Sequence, residues 1–430
     1  MVGTGIFTTT GFLAGDLGEP STVLGIWIVG AIVALAGAFC YSELGINFPS
    51  SGGEYVYLTR AYGPTWGFME GWISFTAGFS APIALAALAF SDYLGYFFPV
   101  LRQANSWTVG PFTVGGAPLA ASGLIALFTV LNWFGLKLVT SVQNILTGLK
   151  LTVIAGFLIL AFAIGQGDWN HFTQPAVRTS VAPIWEQFAS SLIFIYVAYS
   201  GWNAATYVAE ELRTPEKTLP IALTFGTALV AALFVGLNVV YIYAQPLEQM
   251  KGVVAVGSLS AANLFGPDVA SLFSGLMAVS LLATVNAMVT IGPRVYYAMA
   301  QNRAFFPAAA RVHEKWRTPV VAITMQGACA VLMCFTPFRD LMFYVGFLLN
   351  AFSVLAVASL FVFRRRPGWQ RLGVVNFAWP LIPTFYILVG AWVAGSGFLM
   401  RPAVSLAALA TVVIGALAYK MVLAPKNVAV

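Results

Sequence analysis

Three places in the chain hold residue types that do not belong in a plain apolar helix. Gly3-Thr4-Gly5-Ile6 opens the first apolar run. Ser200-Gly201-Trp202-Asn203 interrupts a later run where its middle should be, and Lys150 stands near the centre of another, in NILTGLKLTVIAG. Serine, glycine and asparagine are modest or poor helix formers. A break at Ser200–Asn203 leaves the last carbonyls of one half-helix exposed, around Val197, Ala198 and Tyr199, and frees the first amides of the next half. Carbonyl ends carry partial negative charge and amide ends partial positive charge. Gly3 and Gly5 permit an unwound backbone, and the amides that follow, near Ile6, suit an anion. One break offers amides to a carboxylate and the other offers carbonyls to an ammonium. A ligand that needs both is an amino acid zwitterion. Covalent catalysis has no visible machinery: there is no nucleophile with a base, and no His/Cys/carboxylate cluster with metal-ligand spacing. No cofactor is implied.

The elements that hold these residues follow from composition. The 430 residues are 59% hydrophobic and only 8% charged, with a mean hydropathy of +0.84. Soluble domains carry about 25% charged residues, so the chain belongs in lipid. Its apolar runs are continuous and do not alternate, which excludes a β-barrel and predicts helices. About twelve spans are expected: 1–15, 21–47, 65–98, 118–135, 139–165, 184–211, 218–244, 268–299, 319–336, 340–363, 375–398 and 402–422. With both termini inside, only Arg102, Arg178, Lys251, Arg339 and Arg401 of the basic loop residues fall outside, in keeping with the positive-inside rule. The net charge of +6 is therefore read as topology and not as a nucleic-acid surface. Lys150 is the one basic residue left at depth, where a lysine costs about 2.5–3.5 kcal/mol. It is expected to face the bundle interior and meet oxygen ligands, either as a structural lysine or as an ion or proton site.

The breaks fall in spans one and six. That spacing is expected if the chain is built from two five-helix units, and paired interruptions of this kind point to a transporter site.

Four stretches then carry a resemblance: GTGIF, FPSSGGEYVYLTRAYGP, SGWNAATYVAEELRTPEKTLP and TIGPRVYYAMAQNRAFFP. In this order they resemble the amino acid–polyamine–organocation superfamily, and most of all bacterial relatives of the L-type amino acid transporters. The resemblance implies an all-α polytopic membrane protein of the LeuT-type 5+5 inverted-repeat fold with two added C-terminal helices. Residues 1–166 and 183–366 would be the two repeats, and 373–423 the added helices. The family carries a half-helix before the glycine turn, so the first half of span one is expected to be missing here. The implied function is sodium-independent transport of neutral amino acids by alternating access, as an exchanger or coupled to protons, in a bacterial cytoplasmic membrane.

The resemblance assigns residues as well. Gly3, Thr4, Gly5 and Ile6 would bind the substrate carboxylate. Val197, Ala198, Tyr199, Ser200, Gly201 and Asn203 would form the unwound segment around the amine. Lys150 would replace a sodium ion or act as a proton site. Tyr199 or Trp202 is the expected cover, because the animal relatives' bulky gate is Val197 here. Glu54, Arg60, Glu210, Glu211, Arg213 and Lys217 are candidates for inner-gate salt bridges. The loop VLRQANSWTVGPFTVGG lacks the cysteine that ties animal relatives to a glycoprotein, so no disulfide-linked heavy subunit is expected. A carrier of cationic amino acids or polyamines, a nutrient receptor and a channel remain as alternatives.

Overall fold

The computed structural model describes residues 2–49, 52–135, 138–301 and 304–423, without the side chains of 138–147, 207, 208, 210, 211, 422 and 423. The chain is a bundle of helices. In order, these are α1 (Thr4–Leu17), α2 (Pro20–Asn47), α3 (Glu54–Tyr62), α4 (Pro64–Leu94), α5 (Gly116–Trp133), α6 (Leu138–Ala163), α7 (Ile184–Tyr199), α8 (Pro215–Ala244), α9 (Val256–Phe265), α10 (Pro267–Gln301), α11 (Val320–Met333), α12 (Phe338–Phe363), α13 (Leu381–Met400) and α14 (Pro402–Ala418). The one sheet among the described residues is a hairpin, β1 (Trp107–Val109) and β2 (Phe112–Val114), with Trp107 opposite Val114. Eight of the helices are long and apolar enough to cross a membrane.

Local sequence sets many of the helix ends. Proline stands in the first turn of α2, α4, α8 and α14, where its missing N–H would have no partner in any case. Gly18 ends α1 in the left-handed region, φ 75°, with its N–H on the Ala14 carbonyl. This is the common glycine stop. A helix lies at each of the twelve expected spans, with shifted ends. The third stops as a regular helix at Leu94, not 98, and it contains a π-helical stretch, Ser74–Ser80. The ninth is shorter, Val320–Met333. The helices α3 and α9 and the hairpin escape sequence reading because they are too short for an apolar run to reveal them.

On α8, Ile221, Phe225 and Leu229 recur every fourth residue and are 66%, 68% and 52% exposed. Bare aliphatic and aromatic side chains in such a stripe fit a lipid face. Inside, small residues let helices approach. A side chain at Gly346 of α12 would run into the Ile193 carbonyl of α7, the close packing expected between membrane helices.

Charge is buried at both ends of α12. At its start, Arg339 holds both carboxylate oxygens of Asp16 at the end of α1, and Ser191 of α7 also reaches Asp16. At its end, Arg364 makes two 2.6 Å bonds to Glu43 of α2. Trp369 and the Leu372 amide complete the shell of that carboxylate. Both members of this second pair are almost wholly buried, at 5% and 0% exposure. Removing one partner of such a pair typically costs about 3–5 kcal/mol. Arg364→Ala should therefore lower the thermal unfolding midpoint of the purified protein clearly, and Arg364→Ala with Glu43→Leu should recover part of the loss. An unchanged midpoint in the single variant would show that the pair does not hold α2 to α12.

Candidate functional site

The site is built where α1 begins and α7 ends. Gly3 is extended, φ −141° and ψ −152°, and no side chain caps the helix that starts at Thr4. The first-turn amides of α1 therefore lack intrahelical partners. On the other side α7 stops at Tyr199. Ser200 turns to ψ 149°, Gly201 takes φ +88°, and the chain resumes as a 3-10 helix, Ala204–Glu211. A positive φ of this size is strained for any residue with a Cβ, which explains the glycine. The Ser200 amide and hydroxyl both donate to the Val197 carbonyl, at 3.1 and 2.7 Å. Thr206 does the same to the Asn203 carbonyl, at 2.9 and 2.7 Å.

The start of α1 and the interrupted end of α7 touch. A Cβ added at Gly5 would overlap the Cα, Cβ and amide nitrogen of Ala198. Amide ends and carbonyl ends thus meet at one point, with positive partial charge on the α1 side and negative on the α7 side. Close by, the Lys150 ammonium of α6 donates to the Val2 carbonyl at 3.2 Å and to Thr284 Oγ1 of α10 at 3.0 Å. It joins the strand leading into α1 to two other helices.

Other expected residues lie elsewhere. Tyr199 turns to α2 and α8: its hydroxyl donates to the Trp27 carbonyl at 3.1 Å, and its ring packs on Trp27 and Phe234. Trp202 packs on Tyr41 and against Gly37. Neither covers the contact between α1 and α7, which departs from the cover expected of them. Both line a narrow apolar cleft on the far side of α7, with Gly30, Tyr196, Asn350 and Val393. Val197 packs on Gly346.

The inner-gate expectation also changes. Arg60 lies over the Phe48 ring, and Arg213 and Lys217 are exposed. Glu210 and Glu211 have side chains outside the described residues. The ion pair described near these residues joins Glu43 to Arg364. Glu54 instead accepts hydrogen bonds from Tyr41 and from Asn203, the latter at 3.1 Å. Asn203 is therefore tied to α3. Asn286 and Asn350 act as interhelical ties, to Asn132 at 3.3 Å and to the Gly390 carbonyl at 2.9 Å.

Sequence reading missed Asp16 and Glu43 as ion-pair partners and made no assignment for Glu70. A carboxylate inside an apolar helix was the available signal for each. Beside α1, a cavity of about 300 Å³ is lined by Gly11, Phe12, Gly15, Thr179, Lys251 and Arg339.

Among the described residues no group of three or more His, Cys, Asp or Glu could hold a metal. A many-helix membrane bundle in which the start of one helix meets the interrupted end of another fits a class, the secondary transporters. Within that class the chain belongs to the amino acid permease family, whose model matches residues 1–422, in the amino acid–polyamine–organocation superfamily. It is 30% identical to the serine/threonine exchanger of Bacillus subtilis over 92% of this chain and 87% of that one. It is 29% identical to the human large neutral amino acids transporter small subunit 2, over 97% and 77%. It is 28% identical to the mouse Asc-type amino acid transporter 1, over 94% and 75%.

Proposed function

We propose that this permease exchanges neutral amino acids across the membrane without sodium, by alternating access around the contact between α1 and α7. One observation carries this: the open amides of α1 meet the broken end of α7 at Gly5 and Ala198. The substrate carboxylate binds the amides of Thr4, Gly5 and Ile6, at the Gly3 turn. Its ammonium takes the carbonyls of Val197 and Ala198, beside Ser200 and Gly201. The Ser200 hydroxyl now on the Val197 carbonyl swings away when the ammonium arrives. Among the described residues no carboxylate bonds to this contact, which favours neutral side chains over cationic ones. Names of the relatives point the same way: serine/threonine, large neutral and Asc-type amino acids.

Lys150 supplies a fixed positive charge where a bound cation would otherwise tie α1 to α6 and α10. Residues 1–166 and 183–366 act as inverted repeats, with 373–423 as added helices, both termini in the cytoplasm and the bacterial cytoplasmic membrane as the site of action. The three cysteines, Cys40, Cys329 and Cys334, all lie within or at the ends of helices. We therefore assign no disulfide-linked heavy subunit.

The test is exchange in proteoliposomes preloaded with unlabelled serine, alanine or leucine, in sodium-free buffer. Labelled substrate should enter loaded vesicles and not empty ones, and replacing choline with sodium should change nothing. Uptake into empty vesicles driven by an inward proton gradient would replace exchange with symport. No uptake under any condition would overturn the carrier reading.

A further inference from the structure

The loop from α12 to α13 is strongly basic. Residues 364–380, RRRPGWQRLGVVNFAWP, hold four arginines and no carboxylate. Arg364 is taken by Glu43 and lies over the Trp379 ring. The side chains of Arg365, Arg366 and Arg371 are exposed, and so is Arg60 of α3. Arg366 donates to the Arg60 carbonyl at 2.9 Å, which joins the loop to α3. Phe48, Phe363 and Trp369 pack on one another, and they carry Arg60 over Phe48 and Arg366 over Phe363. The loop backbone is fixed as well. Asn47, at the end of α2, bonds both the amide and the carbonyl of Gln370, and Glu43 accepts from the Leu372 amide. Arg371 therefore stands between two pinned residues with its side chain in the open.

Like charges held close on a fixed frame repel one another unless an anion joins them. The helices packed here do not supply one. Glu43 of α2 and Glu54 of α3 are buried, and α13 has no carboxylate. The arginines are also flanked by bare apolar side chains. In the short helix Gly373–Phe377, Val374 and Phe377 are three residues apart and so share a side. Phe377 is 94% exposed, and Leu381 at the start of α13 is 71% exposed. Both α12 and α13 are long and apolar enough to span a membrane, so this loop sits at a membrane surface. Arginines beside exposed apolar groups at that level match a ligand with a phosphate head and hydrocarbon tails. The planar guanidinium suits the phosphate, because it can bond two of its oxygens at once.

We propose that Arg60, Arg365, Arg366 and Arg371 form a binding site for the headgroup of an anionic phospholipid, with its acyl chains over Val374, Phe377 and Leu381. The same loop holds Glu43 through Arg364, Trp369 and the Leu372 amide, so a bound lipid also steadies the join between α2 and α12. The site is distinct from the contact between α1 and α7. It rests on the membrane placement of the chain and not on which solute is carried.

The experiment follows the thermal unfolding midpoint of the full-length protein in a neutral detergent. Phosphatidylglycerol, phosphatidylcholine and glycerol 3-phosphate are the three additions. Phosphatidylglycerol should raise the midpoint at low salt, and the rise should shrink as salt is added. Phosphatidylcholine and glycerol 3-phosphate at equal concentration should leave it unchanged. The triple variant Arg365→Gln, Arg366→Gln, Arg371→Gln should need on the order of 100-fold more phosphatidylglycerol for the same rise. Phe377→Ser should need roughly tenfold more. An equal rise with phosphatidylcholine, or a wild-type response in the triple variant, overturns the proposal. An equal rise with glycerol 3-phosphate makes the site one for a soluble phosphate and overturns the lipid. Should the triple variant fail to fold, Arg371→Gln alone decides: it should need about fivefold more lipid, and a response equal to wild type overturns the proposal. None of these readouts uses transport, so their failure is distinct from failure of the carrier reading.

Discussion

Gly5→Ala should abolish exchange while the protein still reaches the membrane. The single methyl group has nowhere to go. It would overlap the Cα and amide nitrogen of Ala198, which are backbone atoms and cannot swing aside. Nor can α1 retreat, because Ile6, Phe7, Thr8, Thr9 and Thr10 are wholly buried around it. The far end of α1 is tied as well. The Gly11 carbonyl accepts from the Gly252 amide at 2.9 Å, and the Gly15 carbonyl accepts from the Thr179 amide at 2.8 Å. The only relief is to push the start of α1 and the end of α7 apart by about an ångström, and misplacement of that size costs on the order of 100-fold where geometry does the work. Gly25→Ala and Gly123→Ala, with open space at the same position, serve as controls and should keep wild-type exchange. Counterflow of labelled serine into loaded vesicles, normalised to inserted protein, reads the difference. Near-normal exchange by Gly5→Ala would move the substrate away from the contact between α1 and α7.

The sequence showed where α7 breaks but not what the flanking side chains do. Ser200, Gly201 and Asn203 are local signals: each weakens a helix by its own backbone or side-chain preference, and together they place the end of α7, whereas Gly5, expected to unwind with Gly3, lies inside α1. The long apolar spans were legible for the same reason, since lipid forces every backbone group into a helix. Directions around a break are different. Once Ser200 and Gly201 leave helical geometry, no period links Trp202 to Tyr199, and neither side chain could be aimed in advance. Partners were also hidden. Glu54 meets Asn203, Glu43 meets Arg364 and Asp16 meets Arg339 across distant parts of the chain. Nothing in one strand of letters ranks Arg364 above Arg60 as a partner. Proximity of Glu54 to Arg60 in sequence suggested an inner salt bridge, whereas the fold turns Arg60 onto Phe48 and brings Tyr41 to Glu54.

The two halves of the site also differ in what they require. At Gly5 the need is space, and any side chain offends. At Lys150 the need is charge at a fixed point. Its ammonium has three donors, of which one goes to the Val2 carbonyl and one to Thr284 Oγ1. Val2 precedes the extended Gly3, so this bond holds the strand that sets the pitch of the open amides.

Lys150→Ala should therefore cut exchange roughly 10- to 100-fold, the range expected when hydrogen bonds from a charged group are lost. Insertion should be unharmed, since a lysine at that depth is itself unfavourable by about 2.5–3.5 kcal/mol. Lys150→Met keeps the apolar stem and should fail equally, which separates charge from packing. Lys150→Arg should recover little, because a planar guanidinium does not reproduce the compact ammonium. Thr284→Ala removes one neutral acceptor and should cost only a few-fold. Exchange by the four variants, each corrected for the amount of folded protein in the vesicles, makes the comparison. Wild-type rates in Lys150→Ala would reduce the lysine to a structural tie. A graded loss, with both neutral substitutions at the bottom and Thr284→Ala in between, would make the ammonium the element that couples α6 and α10 to the substrate-binding turn.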